Sequence, residues 1–406
     1  SLIRKVKEVG EKMRESILLD FPVDEYRNRI EKFLQEMEKE LLDAVILTTK
    51  ENTNYFSGFR MITWDSKISK PGALIITKEG TITLVGAYSG YETMKATSCI
   101  EDIRLFDSRG RENLPTSFAQ AIFNVIKEQG YDKGNIGMEI GKGFRLHLTH
   151  DDYLDLIKLL KNANIKDASQ AIWNLRSIKS ELEIKRMKKV CDINIKAFEK
   201  ALNAIYPGMT ELELFRTIGS EMFRLGADDV FPLGIRAGKD RYSQGNSPPG
   251  DRPIRKGEII LIDGGPGYKG YYSDIIREAC IGRPTSRQQE LFNFSVEACM
   301  RGIETVRPGV TPKEITESID RFVDKSKYTE NYVSRGGCGH SIGLDIHEVP
   351  LLTLENEMLI KPGMVLSIEP SFYEENMGMF NIEENILVTD DGYELLTPLD
   401  HDLWII

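Results

Sequence analysis

Five candidate metal ligands in the last third of the chain place the strongest constraint on its structure. They are Asp263, Asp274, His340, Glu369 and Glu383. Four carboxylates and one imidazole make a hard, oxygen-rich set of donors, which suits a pair of divalent first-row metals better than one structural zinc. Two metals about 3.5–4 Å apart can hold a hydroxide between them and clamp the oxygens of a reacting group. The residues therefore predict a two-metal hydrolase.

Length, composition and charge narrow the class of protein. The 406 residues are too many for one ordinary core and enough for two domains. A chain that is 41% hydrophobic and 29% charged is typical of soluble globular proteins. Its net charge of −10 argues against nucleic acid or an anionic membrane as a partner, because phosphate contacts need a basic surface. No apolar run approaches the roughly 20 residues of a membrane helix.

The cysteines and the first residues bear on location. The five cysteines are odd in number and scattered, which fits reduced thiols rather than a disulfide framework. Residues 1–10 lack the uninterrupted apolar core of a signal peptide. We therefore expect a cytoplasmic protein.

The first part of the chain alternates between helix and strand patterns. Apolar residues recur at helical spacing over residues 22–41, and a buried strand is predicted at residues 43–49. Residues 73–77 and 81–85 flank Lys-Glu-Gly, which predicts a hairpin, and residues 137–140 follow another helical stretch. This alternation predicts an α/β domain over residues 1–175.

A long amphipathic helix is predicted to open a second domain, residues 176–406. Ser180 and Glu183 have the spacing of a capping box, and apolar residues follow at intervals of three and four as far as Ile205. Within this domain, residues 207–214 and 308–315 both read Pro-Gly-apolar-Thr-x-x-Glu-apolar. A single match of this kind can arise by chance or from an internal duplication of the domain. If it reflects duplication, the domain has two similar halves and a metal site could lie between them.

The candidate ligands lie in or beside short apolar strands. Residues 257–263 form a predicted strand that ends in Asp263, and a hairpin would bring Asp263 and Asp274 to facing positions on adjacent strands. The alternative is that Asp263 merely ends a strand and Asp274 lies in a polar loop. Glu369 ends the apolar run of residues 364–369.

Glu383 and the histidines have weaker local context. Glu383 falls within the β-pattern of residues 381–389, where a charged side chain normally indicates an exposed face. His340 lies between glycines, which allow backbone to approach a ligand, and His347 follows seven residues later. Two of only five histidines fall in this one glycine-rich segment, residues 337–348.

Together these motifs resemble the "pita-bread" metallopeptidase family, which includes aminopeptidase P, prolidase, methionine aminopeptidase and creatinase. The resemblance rests on the two aspartates eleven residues apart, GHSIGLDIHE, SIEP and IEENILVTDDGYELLT, in order over residues 180–400. NTNYFSGF at residues 52–59 resembles the amino-terminal domain of the creatinase and prolidase branch. The resemblance implies an α/β (α+β) fold: a creatinase-like amino-terminal α/β domain and a pita-bread catalytic domain with pseudo-two-fold halves.

The resemblance also implies roles. Asp263 should chelate one metal, Asp274 and Glu383 should bridge both, and His340 and Glu369 should complete the second. Glu369 should also act as the general base for the attacking water.

The resemblance further implies contacts with substrate and partner. His347 should face the substrate and stabilise an oxyanion or shuttle a proton. Arg335 could bind a substrate carboxylate, although a solvated loop arginine is the simpler interpretation. The family also implies a homodimer, with Tyr55, Phe56, Phe59 and Trp64 as a candidate contact surface. The alternative is that these aromatic residues pack the core of their own domain.

The sequence departs from the family pattern at three positions. Asn246 lies at or near a substrate-facing histidine of the proline-specific members, Gly336 replaces a histidine, and Asn381 replaces an arginine. Asn246 could hydrogen-bond substrate, but an asparagine cannot change protonation near neutral pH. The candidate ligands are thus complete while the surrounding proton-transfer residues differ.

Three functions follow from these observations. The first is an Xaa-Pro dipeptidase or aminopeptidase that acts on small peptides through two divalent metals, with manganese expected and cobalt, zinc or iron as alternatives. The second is an offshoot that hydrolyses or lyses a small non-peptide metabolite or amide, in the manner of ectoine hydrolase, creatinase or a sulfoniopropionate lyase. The third is a non-catalytic binding module, which the complete ligand set disfavours.

Overall fold

A six-stranded mixed sheet forms the centre of the first of two units into which the chain divides, between Arg176 and Ser177. The computed structural model describes residues 13–66 and 72–406. The strands of the first unit are β1 (Ala44–Leu47), β2 (Ala73–Thr77), β3 (Ile82–Ala87), β4 (Asp102–Phe106), β5 (Asn135–Met138) and β6 (Asn164–Asp167). Its helices are α1 (Val23–Lys39), α2 (Lys50–Ser57), α3 (Tyr91–Thr97), α4 (Phe118–Glu128), α5 (His150–Leu159) and α6 (Ser169–Arg176). The strand order is β4-β3-β2-β1-β5-β6.

Local sequence accounts for the first elements of this unit. The predicted helix is α1, and the predicted hairpin is the antiparallel pair β2–β3, so both predictions are confirmed. The predicted strand at residues 43–49 ends earlier, at Leu47, because the Thr49 side chain accepts a hydrogen bond from the Asn52 backbone and caps α2. The end of an apolar run is thus used as a helix cap.

The aromatic residues of α2 and the following segment are buried in their own unit. Tyr55, Phe56, Phe59 and Trp64 are at most 4% exposed. The Phe59 and Trp64 ring centroids are 5.5 Å apart, at edge-to-face geometry. The prediction that these residues form a dimer surface is therefore wrong, because the core of the first unit already removes them from water.

Two sheets, each with a pair of helices, form most of the second unit. Its helices are α7 (Glu181–Leu202), α8 (Glu211–Arg224), α9 (Ser286–Ile303) and α10 (Pro312–Asp324). The first sheet has the order β19-β11-β8-β7, with β7 (Leu233–Ala237), β8 (Ile259–Gly264), β11 (Ile275–Cys280) and β19 (Trp404–Ile405). The second has the order β13-β12-β14-β17-β18, with β12 (Gly337–Ser341), β13 (Glu348–Thr353), β14 (Val365–Ile368), β17 (Glu384–Val388) and β18 (Tyr393–Leu395). Two short ribbons are β9 (Gly267–Tyr268) with β10 (Tyr271–Tyr272), and β15 (Ser371–Glu374) with β16 (Gly378–Asn381).

The repeated Pro-Gly-apolar-Thr motif has equivalent positions in the two helix pairs. Thr210 caps α8 and Thr311 caps α10, each through a complete capping box. Each of these helices is the second of its pair, and each pair packs in its own hydrophobic cluster, mainly with the strands of one sheet. Ser180 and Glu183 form the predicted capping box of α7, which is confirmed. None of the helices formed by residues 13–66 and 72–406 is long and apolar enough to cross a membrane.

Candidate metal centre

Asp263 and Asp274 lie on one face of the first sheet of the second unit. Asp263 is in β8 and pairs with Ile276 of β11, and Asp274 immediately precedes β11. Residues two apart on a strand point to the same face, so the two aspartates are diagonal neighbours. The prediction that they face each other directly is wrong by two residues. The ribbon β9–β10 takes up part of the connection and sets this register.

The other three candidates come from the second sheet. His340 lies in β12, Glu369 directly follows β14, and Glu383 directly precedes β17. β14 pairs with both β12 and β17, so these strands place the three side chains at one end of the sheet. Glu383 is 1% exposed, so the alternative of an exposed strand face does not apply to it.

The structure brings the five side chains from both sheets together. His340 Nε2 is 3.5 Å from Glu369 Oε1 and 3.8 Å from Glu383 Oε1. Donor atoms within 4.8 Å of one another form three groups. These groups are Asp263 with Asp274 and Glu383, His340 with Glu369 and Glu383, and Asp274 with His340 and His347.

Hydrogen bonds behind these residues orient their donor atoms. His340 Nδ1 is 3.0 Å from the Ser341 carbonyl oxygen, to which it can donate, and this tautomer leaves Nε2 with a lone pair for a ligand. The Ser367 hydroxyl donates to Glu383 Oε1. Asn385 accepts from the Asp274 backbone N–H at 3.0 Å and donates to the Asp274 carbonyl at 2.7 Å. These hydrogen bonds thus fix the backbone of Asp274 and the side chain of Glu383.

The electrostatics of the cluster favour a cation. Burial raises the pKa of Asp274 well above its usual value, and the negative charge of Asp263 is the next largest cause. Burial, and next the Asp274 and Glu369 carboxylates, does the same to the pKa of Glu383. Partial burial, and next the Glu369 carboxylate, raises the pKa of Asp263 to about 6. An opposite charge within about 4–6 Å reverses such shifts, because it favours the ionised form.

Three buried donor atoms at the centre have no hydrogen-bond partner among the described residues. They are Asp274 Oδ1, His340 Nε2 and Glu383 Oε2. Buried polar atoms normally have hydrogen-bond partners, and several atoms without partners at one point indicate a site for an ion or another ligand. Together with the hard oxygen-rich donor set, these atoms fit a pair of divalent cations.

His347 lies at the exposed side of this cluster. Its ring centroid is 4.3 Å from that of His340, at an angle of 90°. Its backbone lies between β12 and β13, and the residue is exposed. Partial loss of hydration around the ring, and next the neighbouring His340, lower the pKa of His347. A neutral imidazole therefore lies between the cluster and solvent.

The remaining sequence-predicted residues are not members of the three groups of donor atoms. Arg335 donates to Asp324 at 2.7 Å and lies over the Tyr332 ring, so its guanidinium is already engaged. Asn246 is exposed in a left-handed conformation with φ of 59°. Its side chain makes no hydrogen bond within residues 13–66 and 72–406. Gly336 lies in the turn before β12, and Asn381 is buried at the end of β16.

Three residues near the cluster escaped sequence analysis. Ser367 lies two residues before Glu369, and this same-face spacing on a strand could have identified it. Asn385 has the same two-residue spacing from Glu383, whereas Arg236 carried no such signal. Asn385 acts on Asp274 across more than a hundred residues of sequence, and Arg236 looks like an exposed charge in an apolar strand. Arg236 Nη2 is in fact 3.6 Å from Asp263 Oδ2.

Family models match both units of the chain. The model described as metallopeptidase family M24 matches residues 185–390. The model described as the creatinase/prolidase N-terminal domain matches residues 29–178. All five candidate ligands lie in the first of these ranges.

Curated relatives and solved structures match over nearly the whole chain. An uncharacterized peptidase of Staphylococcus aureus is 30% identical over 91% of this chain and 98% of its own length. The Xaa-Pro dipeptidase of Pyrococcus horikoshii is 28% identical over 94% of this chain and 100% of its own length. The structure of an Xaa-Pro dipeptidase from Bacillus anthracis has a TM-score of 0.82 at 26% identity, and covers 94% of this chain and all of that one. The prolidase structure from P. horikoshii has a TM-score of 0.79 at 28% identity, and covers 93% and 99%. The predicted two-part fold is confirmed.

Proposed function

Because the chain belongs to metallopeptidase family M24, we propose that it is a dinuclear metal-dependent peptidase that cleaves Xaa-Pro bonds of small peptides. One observation carries this proposal: four carboxylates and His340 converge from two sheets, and three of their buried donor atoms have no hydrogen-bond partner among the described residues. The relatives named as Xaa-Pro dipeptidases favour this function over hydrolysis or lysis of a small non-peptide metabolite.

The grouping of donor atoms supports a division of roles among the ligands. Asp274, Glu383 and His340 each belong to two groups. His340 has only Nε2 left for a metal, whereas a carboxylate has two oxygens, so only Asp274 and Glu383 can bridge. We assign Asp274 and Glu383 as bridging residues, Asp263 as the chelator of one cation, and His340 with Glu369 as the remaining ligands of the other. Bound divalent cations would polarise the scissile carbonyl and lower the pKa of a water molecule.

Exposure distinguishes the group that moves the proton. The side chains of Glu369 and Asp263 are 31% and 37% exposed, whereas that of Glu383 is 1% exposed. Asp263 already faces the Arg236 guanidinium at 3.6 Å, so Glu369 is the accessible carboxylate left to take a proton. In our proposal a Glu369 carboxylate oxygen accepts the proton of the attacking water and returns it to the leaving nitrogen. His347, at the exposed side, donates a hydrogen bond to the carbonyl oxygen as negative charge develops there.

A turnover panel tests the proposal. The manganese-loaded protein is assayed with Xaa-Pro dipeptides, longer peptides that begin with Xaa-Pro, and small non-peptide amides. We expect cleavage of Xaa-Pro dipeptides on the order of 10 s⁻¹, a usual enzyme rate. Activity on the amides with none on any Xaa-Pro peptide would favour the small-metabolite function instead.

Three finer points complete the proposal. Manganese is proposed as the metal, because a carboxylate-rich set of donors suits it. Cobalt, zinc and iron also fit these donors, and the metal available in the cell decides among them. A cytoplasmic location is proposed because all five cysteines are free and buried. A homodimer is proposed by analogy within the family, without the aromatic surface. Light scattering that gives the monomer mass would contradict the dimer.

A further inference from the structure

Arg236 is a nearly buried arginine whose guanidinium lacks a hydrogen-bond partner within the described chain. It lies in β7, and its side chain is 10% exposed. Its nearest ionic contact, Asp263 Oδ2 at 3.6 Å, is too long for an N–H···O hydrogen bond. Desolvating an arginine is costly unless its donors find partners. Water or a group from outside the chain can supply them, because no guanidinium nitrogen of Arg236 is among the fully buried atoms that lack a partner.

The sheet places Arg236 beside the metal ligands. Arg236 pairs with Leu261 of β8, and Leu261 pairs with Glu278 of β11. Cross-strand partners share a face, and Asp263 lies two residues from Leu261, so Arg236 and Asp263 point to the same side of the sheet. The arginine therefore faces the centre at which the proposed reaction occurs.

Charge counting leaves Arg236 as the excess charge at this centre. Four ligand carboxylates carry four negative charges, which two divalent cations offset. Glu278, whose pKa burial raises well above its usual value, accepts a hydrogen bond from the Asn381 backbone N–H at 2.7 Å and not from the arginine. With two divalent cations bound, the oxygens of Asp263 would serve as metal ligands. The charges of the cations and the four carboxylates would then cancel, and the guanidinium would carry the remaining positive charge.

A loop glycine lies beside the guanidinium. A Cβ added to Gly245 would lie 3.7 Å from Arg236 Nη1. Gly245 and its neighbour Asn246 are exposed. The exposed loop at residues 245–246 thus borders the guanidinium.

We propose that Arg236 binds a carboxylate of the substrate and makes the enzyme prefer peptides that carry one at this point. A planar guanidinium can bind both oxygens of a carboxylate at once, which a lysine or a neutral side chain cannot do. This inference rests on the proposed peptidase function. The carboxylate can belong to the side chain of the residue before proline or to the end of the peptide.

Matched peptides separate these two sources. Wild type, Arg236→Met and Arg236→Lys are assayed with Glu-Pro, Gln-Pro and the C-terminal amide of each. We expect Arg236→Met to lower kcat/KM about 10- to 100-fold for the peptide with the relevant carboxylate, and to change its neutral counterpart little. A loss specific to Glu-Pro over Gln-Pro assigns the side-chain carboxylate, and a loss specific to the free acids over the amides assigns the terminal one. An equal loss on all four peptides, or no loss, overturns the inference.

Binding measurements separate this inference from the proposed function. Calorimetry on the manganese-loaded protein uses reduced-amide analogues of the same four peptides, in which a methylene replaces the scissile carbonyl. Arg236→Met should lose the preference for the acid forms, and Arg236→Lys should keep part of it. Lys239→Met is the control, because Lys239 is an exposed cation three residues away and its loss changes the charge equally. Metal content and melting temperature show that each variant is folded and loaded.

The two failures have different signatures. If wild type cleaves no Xaa-Pro peptide but binds the acid analogues more tightly through Arg236, the peptidase proposal fails and the inference stands. If wild type binds acid forms no better than amides, the inference fails even where the peptides are cleaved.

Discussion

Asp274 is shared between two of the three groups of donor atoms, so its loss should affect both metal positions. We predict that Asp274→Ala loses both ions, because a bridging carboxylate serves each of them. Elemental analysis after manganese loading should find close to two ions per wild-type chain, the number a two-metal site holds, and far less than one in the variant. Asp324→Ala removes an exposed aspartate paired with Arg335 and should retain both ions. One ion retained by Asp274→Ala would show that Asp274 does not bridge.

Asn246 tests whether the altered proton-transfer residues redirect the enzyme. Its left-handed conformation accepts asparagine and histidine more readily than most residues, so Asn246→His should fold. For an Xaa-Pro peptidase, we expect Asn246→His to leave cleavage unchanged or to raise it. His347→Ala is the positive control and should lower kcat by about 10²–10³-fold, the usual effect of removing a hydrogen-bond donor to the oxyanion.

The opposite result at Asn246 would have a clear meaning. Complete loss of activity in Asn246→His, with metal content retained, would indicate that the asparagine amide contacts a different native substrate. The small-metabolite function would then replace the proposed one.

Among the elements, β12 depends on one glycine for its place in the sheet. Gly339 has φ of 150°, and a Cβ there would lie 1.9 Å from the Ser367 carbonyl oxygen of β14. Because the Ser367 carbonyl belongs to the backbone, it cannot rotate away as a flexible side chain would. We predict that Gly339→Ala separates β12 from β14, displaces His340, and lowers the free energy of unfolding by at least about 2 kcal/mol.

The matched control for this prediction is two residues away in the same strand. A Cβ on Gly337 would lie 3.7 Å from the Thr353 side chain, which is ordinary contact. Gly337→Ala should therefore stay within roughly 1 kcal/mol of wild type and keep its metals. Chemical denaturation and elemental analysis measure both variants. Equal stability of the two would contradict the steric argument.

Over the whole molecule, the carboxylate cluster should give the metal-free protein an unusual dependence on pH. The pKa of Asp263 rises from an ordinary 3.8 to about 6, and those of Asp274 and Glu383 rise as well. Above the pKa values of these groups in the unfolded chain, the folded protein binds more protons than the unfolded chain does. The free energy of unfolding therefore falls as pH increases. We predict a higher melting temperature for chelator-treated protein at pH 5 than at pH 7.5.

Metal and mutation should both remove this dependence. Manganese added at pH 7.5 should raise the melting temperature, since ligands that bind only the folded state stabilise it. Asp263→Asn should reduce the difference between pH 5 and pH 7.5 in the metal-free protein. Carboxylates whose pKa is lowered in the folded protein affect its stability over a different, more acid range of pH. Arg224 holds the pKa of Glu221 at about 2, so that contribution is lost only at more acid pH. A melting temperature independent of pH in the chelated protein would contradict the prediction.

Local chemistry in the sequence was sufficient for several parts of this protein. Capping boxes at Ser180, Thr210 and Thr311 begin helices where the pattern predicts them, because a cap and its partner are only three residues apart. The five candidate ligands were also recognisable, since their residue types and order match a family motif, and the structure brings their side chains together.

Long-range pairing decided what local pattern could not. The two-residue offset of Asp274 depends on strand register, and the burial of Glu383 depends on strands from two parts of the chain. The aromatic residues near Trp64 looked equally suited to a core or an interface, and only the packing of the first unit buried them. Arg236 shows the reason most clearly: its alternation within β7 is local, but the face it occupies follows from pairing with β8, some 25 residues further along. Hydrophobic spacing is encoded in neighbouring residues, whereas contacts between distant segments form only when the whole chain packs.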